Sequence, residues 1–226
     1  MMKIGVLLGC VLLAVAMLAG CGSDGGGGSS TLATSAVTRQ LTSGDQLTYN
    51  VNDATKAGVT GTMTVKTTDA PLQPYEDKHL WMIETTQDFT VSGEKVTETS
   101  TEYVAQGSDG IINVGYIRDG KTYIGQKYEG IALRYASPIE VGTNWTCTTT
   151  YNEGVQSTCS YEVLGMEAAN GRMAYKIKID KTEDGATQTF YEWYVPDLGY
   201  PVKVAWTEST DDGDLNVEAN LKNKNF

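Results

Sequence analysis

The chain has 226 residues, a formal net charge of −11 at pH 7, 40% hydrophobic residues and one histidine. So acidic a composition argues against nucleic acid as a partner and against docking on an anionic lipid surface, both of which need basic patches. A Ser-His-Asp or Cys-His arrangement could draw on His79 alone.

Residues 1–20 read as a secretory signal: Lys3 supplies a positive charge, Ile4 to Ala19 is almost wholly apolar, and the run ends in small residues. The run falls short of the ~20 apolar residues of a membrane span. No stop-transfer charges follow it. Its ending, Leu18-Ala19-Gly20-Cys21, resembles the bacterial lipobox. The resemblance implies cleavage after Gly20, diacylglycerol on the Cys21 sulfur and an acylated (typically palmitoylated) amino terminus. Two or more chains, at about 0.8 kcal/mol per buried CH₂, anchor stably where one would not. The membrane is then a partner through the lipid on Cys21. Gly22, in place of the aspartate that retains lipoproteins in an inner membrane, points to the outer membrane, facing the periplasm or the cell surface. Removing residues 1–20 takes away Lys3 and no acid, so −11 becomes −12.

Residues 21–36 comprise the lipidated cysteine and a Gly/Ser-rich tether, a flexible coil spanning roughly 20 Å on average. Residues 37–226 read as a single all-β domain, rich in Tyr, Thr and Val. Val37–Leu41 is a short cap or a first strand. Strands are expected over Gln46–Val51, Gly58–Lys66, His79–Phe89, Lys95–Ala105, Ile111–Ile117, Thr122–Tyr128 and Ile131–Tyr135. After them come Asn144–Tyr151, Val155–Leu164, Met173–Asp180, Thr187–Val195, Val202–Glu208 and Leu215–Leu221. Pro71 and Pro74 place residues 69–74 in a loop. Turns this closely spaced allow hairpins but no crossover helices. The predicted fold is an antiparallel meander forming a sandwich or an open half-barrel.

A weak internal repeat suggests two similar halves, 43–118 and 141–209. Gly44-Asp45-Gln46-Leu47-Thr48 matches Gly142-Thr143-Asn144-Trp145-Thr146, and Glu102-Tyr103-Val104-Ala105 matches Glu192-Trp193-Tyr194-Val195. Repetitive β sequence also produces such matches by chance.

Cys10 leaves with the signal and Cys21 is the lipid site, so Cys147 and Cys159 remain. A hairpin turning at Tyr151-Asn152-Glu153-Gly154 sets Cys147 opposite Cys159 and Trp145 opposite Tyr161. In an exported compartment this predicts a cross-strand disulfide, stabilising by a little under ~3 kcal/mol. A redox-active pair would call for a Cys-X-X-Cys spacing or a basic activator, and neither is visible.

Alternation assigns Trp145, Cys147, Tyr161, Tyr175, Ile177, Val204 and Trp206 to an apolar layer, and the intervening Thr and Lys residues to solvent. Leu80–Ile83 and Phe190–Val195 break the alternation. They read either as strands buried on both sides or as an apolar groove built from Trp81, Ile83, Tyr191, Trp193 and Tyr194.

No catalytic constellation, phosphate-binding glycine loop or zinc-type His/Cys cluster is evident, and no cofactor is called for. Asp180–Gly185 has the oxygen spacing of a calcium loop, but an Asp-Gly hairpin turn explains the same residues. Carboxylates are plentiful, so a glycosidase-type pair stays open, with no two singled out.

Pro138-X-X-Val141-Gly142-X-X-Trp145, Val163-X-Gly165-X-Glu167 and Trp193-Tyr194-Val195-Pro196-X-X-Gly199, with Val202-Lys203 after it, resemble the TapB-like group of exported β-rich proteins. The resemblance spans roughly residues 44–209 and implies an antiparallel β fold with no catalytic residues to carry over. Pro201 lengthens the Gly-X-Val-Lys segment by one residue. The expected function is a non-catalytic binding or assembly-accessory role at the cell envelope, with another envelope protein as partner. The rivals are a carrier of an apolar ligand and a carboxylate-dependent hydrolase of envelope sugars.

Overall fold

The computed structural model describes residues 35–36, 38–53, 59–72, 78–91, 94–210 and 213–226. The signal, Cys21 and most of the tether lie outside the described residues. The strands are β1 (Ser35–Ala36), β2 (Gln46–Asp53), β3 (Val59–Asp69), β4 (Leu80–Val91), β5 (Glu94–Gly107), β6 (Gly110–Arg118), β7 (Lys121–Gly130) and β8 (Tyr135–Ala136). They continue with β9 (Ile139–Glu140), β10 (Asn144–Tyr151), β11 (Gln156–Ala169), β12 (Arg172–Glu183), β13 (Ala186–Val195), β14 (Tyr200–Thr210) and β15 (Gly213–Lys224).

Thirteen of these strands form one antiparallel sheet in the order β5-β4-β3-β2-β15-β14-β13-β12-β11-β10-β7-β6-β8. An additional β5–β6 pairing closes twelve of them into a ring, with β8 appended to β6. The domain is all-β and antiparallel, as the turn spacing predicts. The expected sandwich or open half-barrel is corrected to a closed barrel, because β5 and β6, adjacent in sequence, also join the two ends of the sheet.

Short turns explain the meander. Asp119-Gly120, Asn170-Gly171 and Asp184-Gly185 each have positive φ at both residues, and each joins strands in two-residue register. This backbone matches the twist of the flanking strands, which is why Asn-Gly and Asp-Gly recur at such turns. Asp184-Gly185 is therefore the tip of a hairpin. Asp180, the first residue of the calcium-like spacing, sits within β12 and accepts bonds from Lys178 and Thr189.

A ring of twelve strands encloses more space than eight, and small side chains would leave it open. Here large side chains fill it: Tyr49, Tyr175, Tyr194, Phe190, Leu47, Met63 and Ile83 are all fully buried. One end is further closed by chain segments, and we call it the latched end. The segment between β7 and β10 does not continue as the strand expected over Ile131–Tyr135. Instead it turns inward, with only Tyr135–Ala136 pairing to β6. Arg134 N–H donates to Ile111 O at 2.6 Å, Ser137 N–H to Asp109 O at 2.8 Å, and Trp145 Nε1–H to Leu133 O at 2.6 Å. Tyr135 and Ile139 are completely buried. Residues 38–45 cross the same end, where Gln106 bonds both the Leu41 N–H and the Arg39 carbonyl.

The two meanders carry matching local devices. Gly44 N–H donates to Thr67 O and Thr67 N–H returns to Asp45 O; Gly142 N–H donates to Val163 O and Val163 N–H returns to Thr143 O, all at 2.9 Å. Gly44 and Gly142 both hold positive φ. The register shifts between Tyr103 and Val104, and again between Trp193 and Tyr194.

The exit from β7 gives a direct test of this geometry. Gly130 holds φ +90° and an added Cβ would lie 2.2 Å from Thr146 O, whereas Gly120 holds φ +73° with open space around it. Gly120→Ala should lose only the left-handed backbone cost of about 1–2 kcal/mol, and Gly130→Ala should lose about 2–4 kcal/mol because strands must also shift. Urea unfolding of the two variants side by side measures the difference.

Candidate functional site

Inside the barrel, near the latched end, Arg134 stands between Glu102 on β5 and Glu192 on β13. Its guanidinium lies 3.0 Å from Glu102 Oε2 and 3.4 Å from Glu192 Oε1. Tyr135 O–H donates to the other oxygen of Glu192, and Asn113 Nδ2 donates to Glu102 at 3.2 Å. Exposure is 4% for Arg134, 2% for Glu102 and 0% for Glu192. Tyr135 also stacks on Tyr194, ring centroids 4.1 Å apart.

Burial raises both glutamates, Glu102 to about 7, and Arg134 opposes it in each case. Burial works against the charge of Arg134 too, yet Glu102 and Glu192 outweigh it and hold the guanidinium protonated. Burial is the main reason that Glu102 holds a proton up to near neutral pH, and the charge of Glu192 adds to it.

A second group lies toward the opposite end. Lys181 is 2.7 Å from Glu183, which Arg118 also engages, and Tyr116 stacks against Tyr123 beside them. The two cations outweigh burial and lower the Glu183 pKa. Three cations and three carboxylates thus share the interior.

Between these groups is a cavity of about 60 Å³, lined by Glu102, Asn113, Arg134, Cys147, Cys159 and Lys181 among others. A water needs roughly 10–15 Å³ by this measure, so the space suits a few waters. It is well below the ~300 Å³ lower bound of ligand pockets.

Cys147 and Cys159 pair directly across β10 and β11, and Trp145 pairs with Tyr161 two residues away, the register predicted from the turn. The two sulfurs are free thiols in this structure. Each turns to a neighbouring hydroxyl: Cys147 Sγ lies 3.7 Å from Thr149 Oγ1, and Cys159 bonds Tyr161 and Ser157. Burial raises both thiol pKa values.

The five aromatic and apolar residues singled out as a groove do not share a face. Ile83 and Tyr194 point into the core at 0% exposure, and Trp81 is half-buried against it, edge-on to His79 at 4.4 Å. Tyr191 and Trp193 alternate with the inward Glu192 and lie on the outer surface. There Lys176 and Lys203 flank the Trp193 ring at 5.0 and 4.7 Å, and its Nε1–H donates to Glu167. Cations on both faces of the indole explain its 7% exposure without a groove. His79 is exposed, 3.0 Å from Asp69. Among the described residues no group of three or more His, Cys, Asp or Glu side chains could hold a metal ion. Sequence reasoning passed over Glu102, Arg134 and Glu192; the one signal for them was that Glu102 and Glu192 occupy matching positions of the repeat.

The sign of the pH dependence follows from Glu102. Its folded-state pKa of about 7 exceeds the ordinary value of 4.5. The folded chain therefore holds a proton that the unfolded chain releases between these values. The stability contributed is full below pH 4.5 and is lost as pH rises through 7. Urea midpoints should fall from pH 5 to pH 8, and Glu102→Gln should flatten that slope. Arg134→Met should cost about 3–5 kcal/mol at pH 8, where it strands buried charge, and less at pH 5.

No family model and no curated protein matches the chain. Two solved structures are similar to it. One is named as an exported protein with a YmcC-like fold, from Bacteroides fragilis, at 14% identity and TM-score 0.37, covering 84% of this chain and 100% of that one. The other is named as a lipoprotein, from Parabacteroides distasonis, at 12% identity and TM-score 0.33, covering 81% of this chain and 96% of that one.

Proposed function

We propose that the chain is a lipid-anchored cell-envelope protein with a non-catalytic binding or assembly-accessory role, exposed to partners through the outside of its barrel. The observation that carries this reading is the filled interior. Among the described residues, the cavity between the two ion groups holds about 60 Å³, less than an apolar ligand or a sugar ring needs. Glu102 and Glu192, the carboxylates brought together inside, are both engaged by Arg134. A partner is left the outer strand faces, the rims and the turns.

Anchoring rests on Leu18-Ala19-Gly20-Cys21 and its resemblance to a lipobox. The outer membrane is favoured over the inner by Gly22, and the TapB-like resemblance fits an exported β protein of this kind. Cys21→Ser should move the protein from the membrane to the soluble fraction after cell fractionation. Retention in the membrane fraction would refute lipid anchoring.

The opposed thiols are positioned to join in an oxidising compartment. Peptide mapping of the exported protein under non-reducing conditions should recover Cys147 linked to Cys159. Recovery of both as free thiols would end that assignment.

A further inference from the structure

Among the described residues, the exposed large hydrophobic side chains are Leu72, Ile131, Val141, Leu164 and Met173, at 38–53% exposure. They sit on different strands and loops, yet all five lie toward the latched end. Leu72 follows β3, Ile131 follows β7, Val141 precedes β10, and Met173 opens β12. Leu164 is the extra residue where β11 shifts register, just past the start of β10.

Four of the five form an arc over neighbouring strands. Ile131 N–H bonds Thr146 O on β10, and Gly142 N–H, next to Val141, bonds Val163 O, next to Leu164. Met173 pairs with Ala168 on that same β11. At the opposite end, the described turns present Asp119, Glu153 and Asp184 to solvent with Lys95 and Lys121, and no large hydrophobic side chain. The latched rim exposes Arg172 and Lys222 with Asp69, Asp109, Glu140 and Asp197 around these apolar side chains.

The amino-terminal segment enters at this arc. β1 pairs with β9, so that Ser35 lies opposite Glu140, next to Val141. Ser35 lies fourteen residues after Cys21 in the sequence, a stretch that can span at most ~50 Å.

We propose that the latched rim, through Ile131, Val141, Leu164 and Met173, rests in the surface of the bilayer that holds the Cys21 lipid, with the turns at the opposite end facing away. This rests on the lipid-anchored reading above and adds an orientation to it. The occupant is a lipid surface because the anchor holds the rim within reach of one. A rim that carries exposed apolar side chains suits a lipid interface, whereas an end whose described turns carry none does not.

The test uses the full lipidated chain in phosphatidylcholine vesicles with brominated acyl chains. An environment-sensitive fluorophore is placed on Leu164→Cys or on Asp184→Cys, with the chain lacking either substitution as the labelling control. Co-flotation with the vesicles is read first, then quenching by bromine. The rim label should be blue-shifted and lose roughly half its intensity, as expected at headgroup-to-acyl depth, while the Asp184→Cys label stays unquenched. Adding Ile131→Ser and Val141→Ser should abolish the quenching without abolishing flotation. Protein that floats with an unquenched rim label overturns the orientation and leaves the anchor standing. Protein that does not float overturns both. A blue shift without quenching that vanishes on dilution in the membrane identifies a second copy on the rim and likewise overturns the proposal.

Discussion

The fold depends on a charge placed where charge is costly. Arg134 belongs to the segment between β7 and β10, and the cost of burying it is offset by Glu102 and Glu192, from opposite parts of the ring. Desolvating one ion costs several kcal/mol even after relaxation, so such a trio seldom adds net stability over an apolar equivalent. What it adds is specificity. The carboxylates are satisfied only when this segment folds inward, and the guanidinium only when β5 and β13 have both taken their places. Closing the ring and plugging its end are therefore coupled.

The pairing also links the two meanders. Glu102 and Glu192 stand at matching repeat positions, and each is followed one residue later by a register shift in its strand. Two glutamates placed alike relative to the register shifts of their strands converge on one arginine from the segment between β7 and β10.

Much of the strand pattern was legible because several turns announce themselves in Asp-Gly, Asn-Gly or Glu-Gly, and such a turn sets the register. Cys147 opposite Cys159 follows from counting outward from residue 153. Ring closure was not legible, since β5–β6 is a hairpin like the others until the far ends of the sheet are traced. Residues 131–135 read as a strand because Ile131, Leu133 and Tyr135 alternate. The alternation does not reveal that Arg134 is buried beside Tyr135 while Ile131 is exposed. Phe190–Val195 left two readings, a strand buried on both sides or a groove, and its burial agrees with the first: one face looks into the core around Glu192, and the other lies under Lys176 and Lys203. Period-two patterns report which residues share a face, and a buried ion group or a cation-covered indole inverts the usual reading of that face.

A filled barrel differs functionally from an open one of the same topology. Barrels that carry ligands keep a lumen, and their inward side chains make the binding surface. Here the inward positions hold large tyrosines and paired charges, whose conformations are fixed by stacking and hydrogen bonds. Opening the lumen would strand Glu102, Glu192 and Arg134 without their partners, a penalty set by burial and largely independent of any ligand. A weak ligand could not meet it. Ile131 and Val141 flank the segment that carries Arg134, so the ion group that fixes this segment also sets where these two side chains stand on the rim. Whatever meets that rim meets a surface shaped by the buried ion group a few residues away.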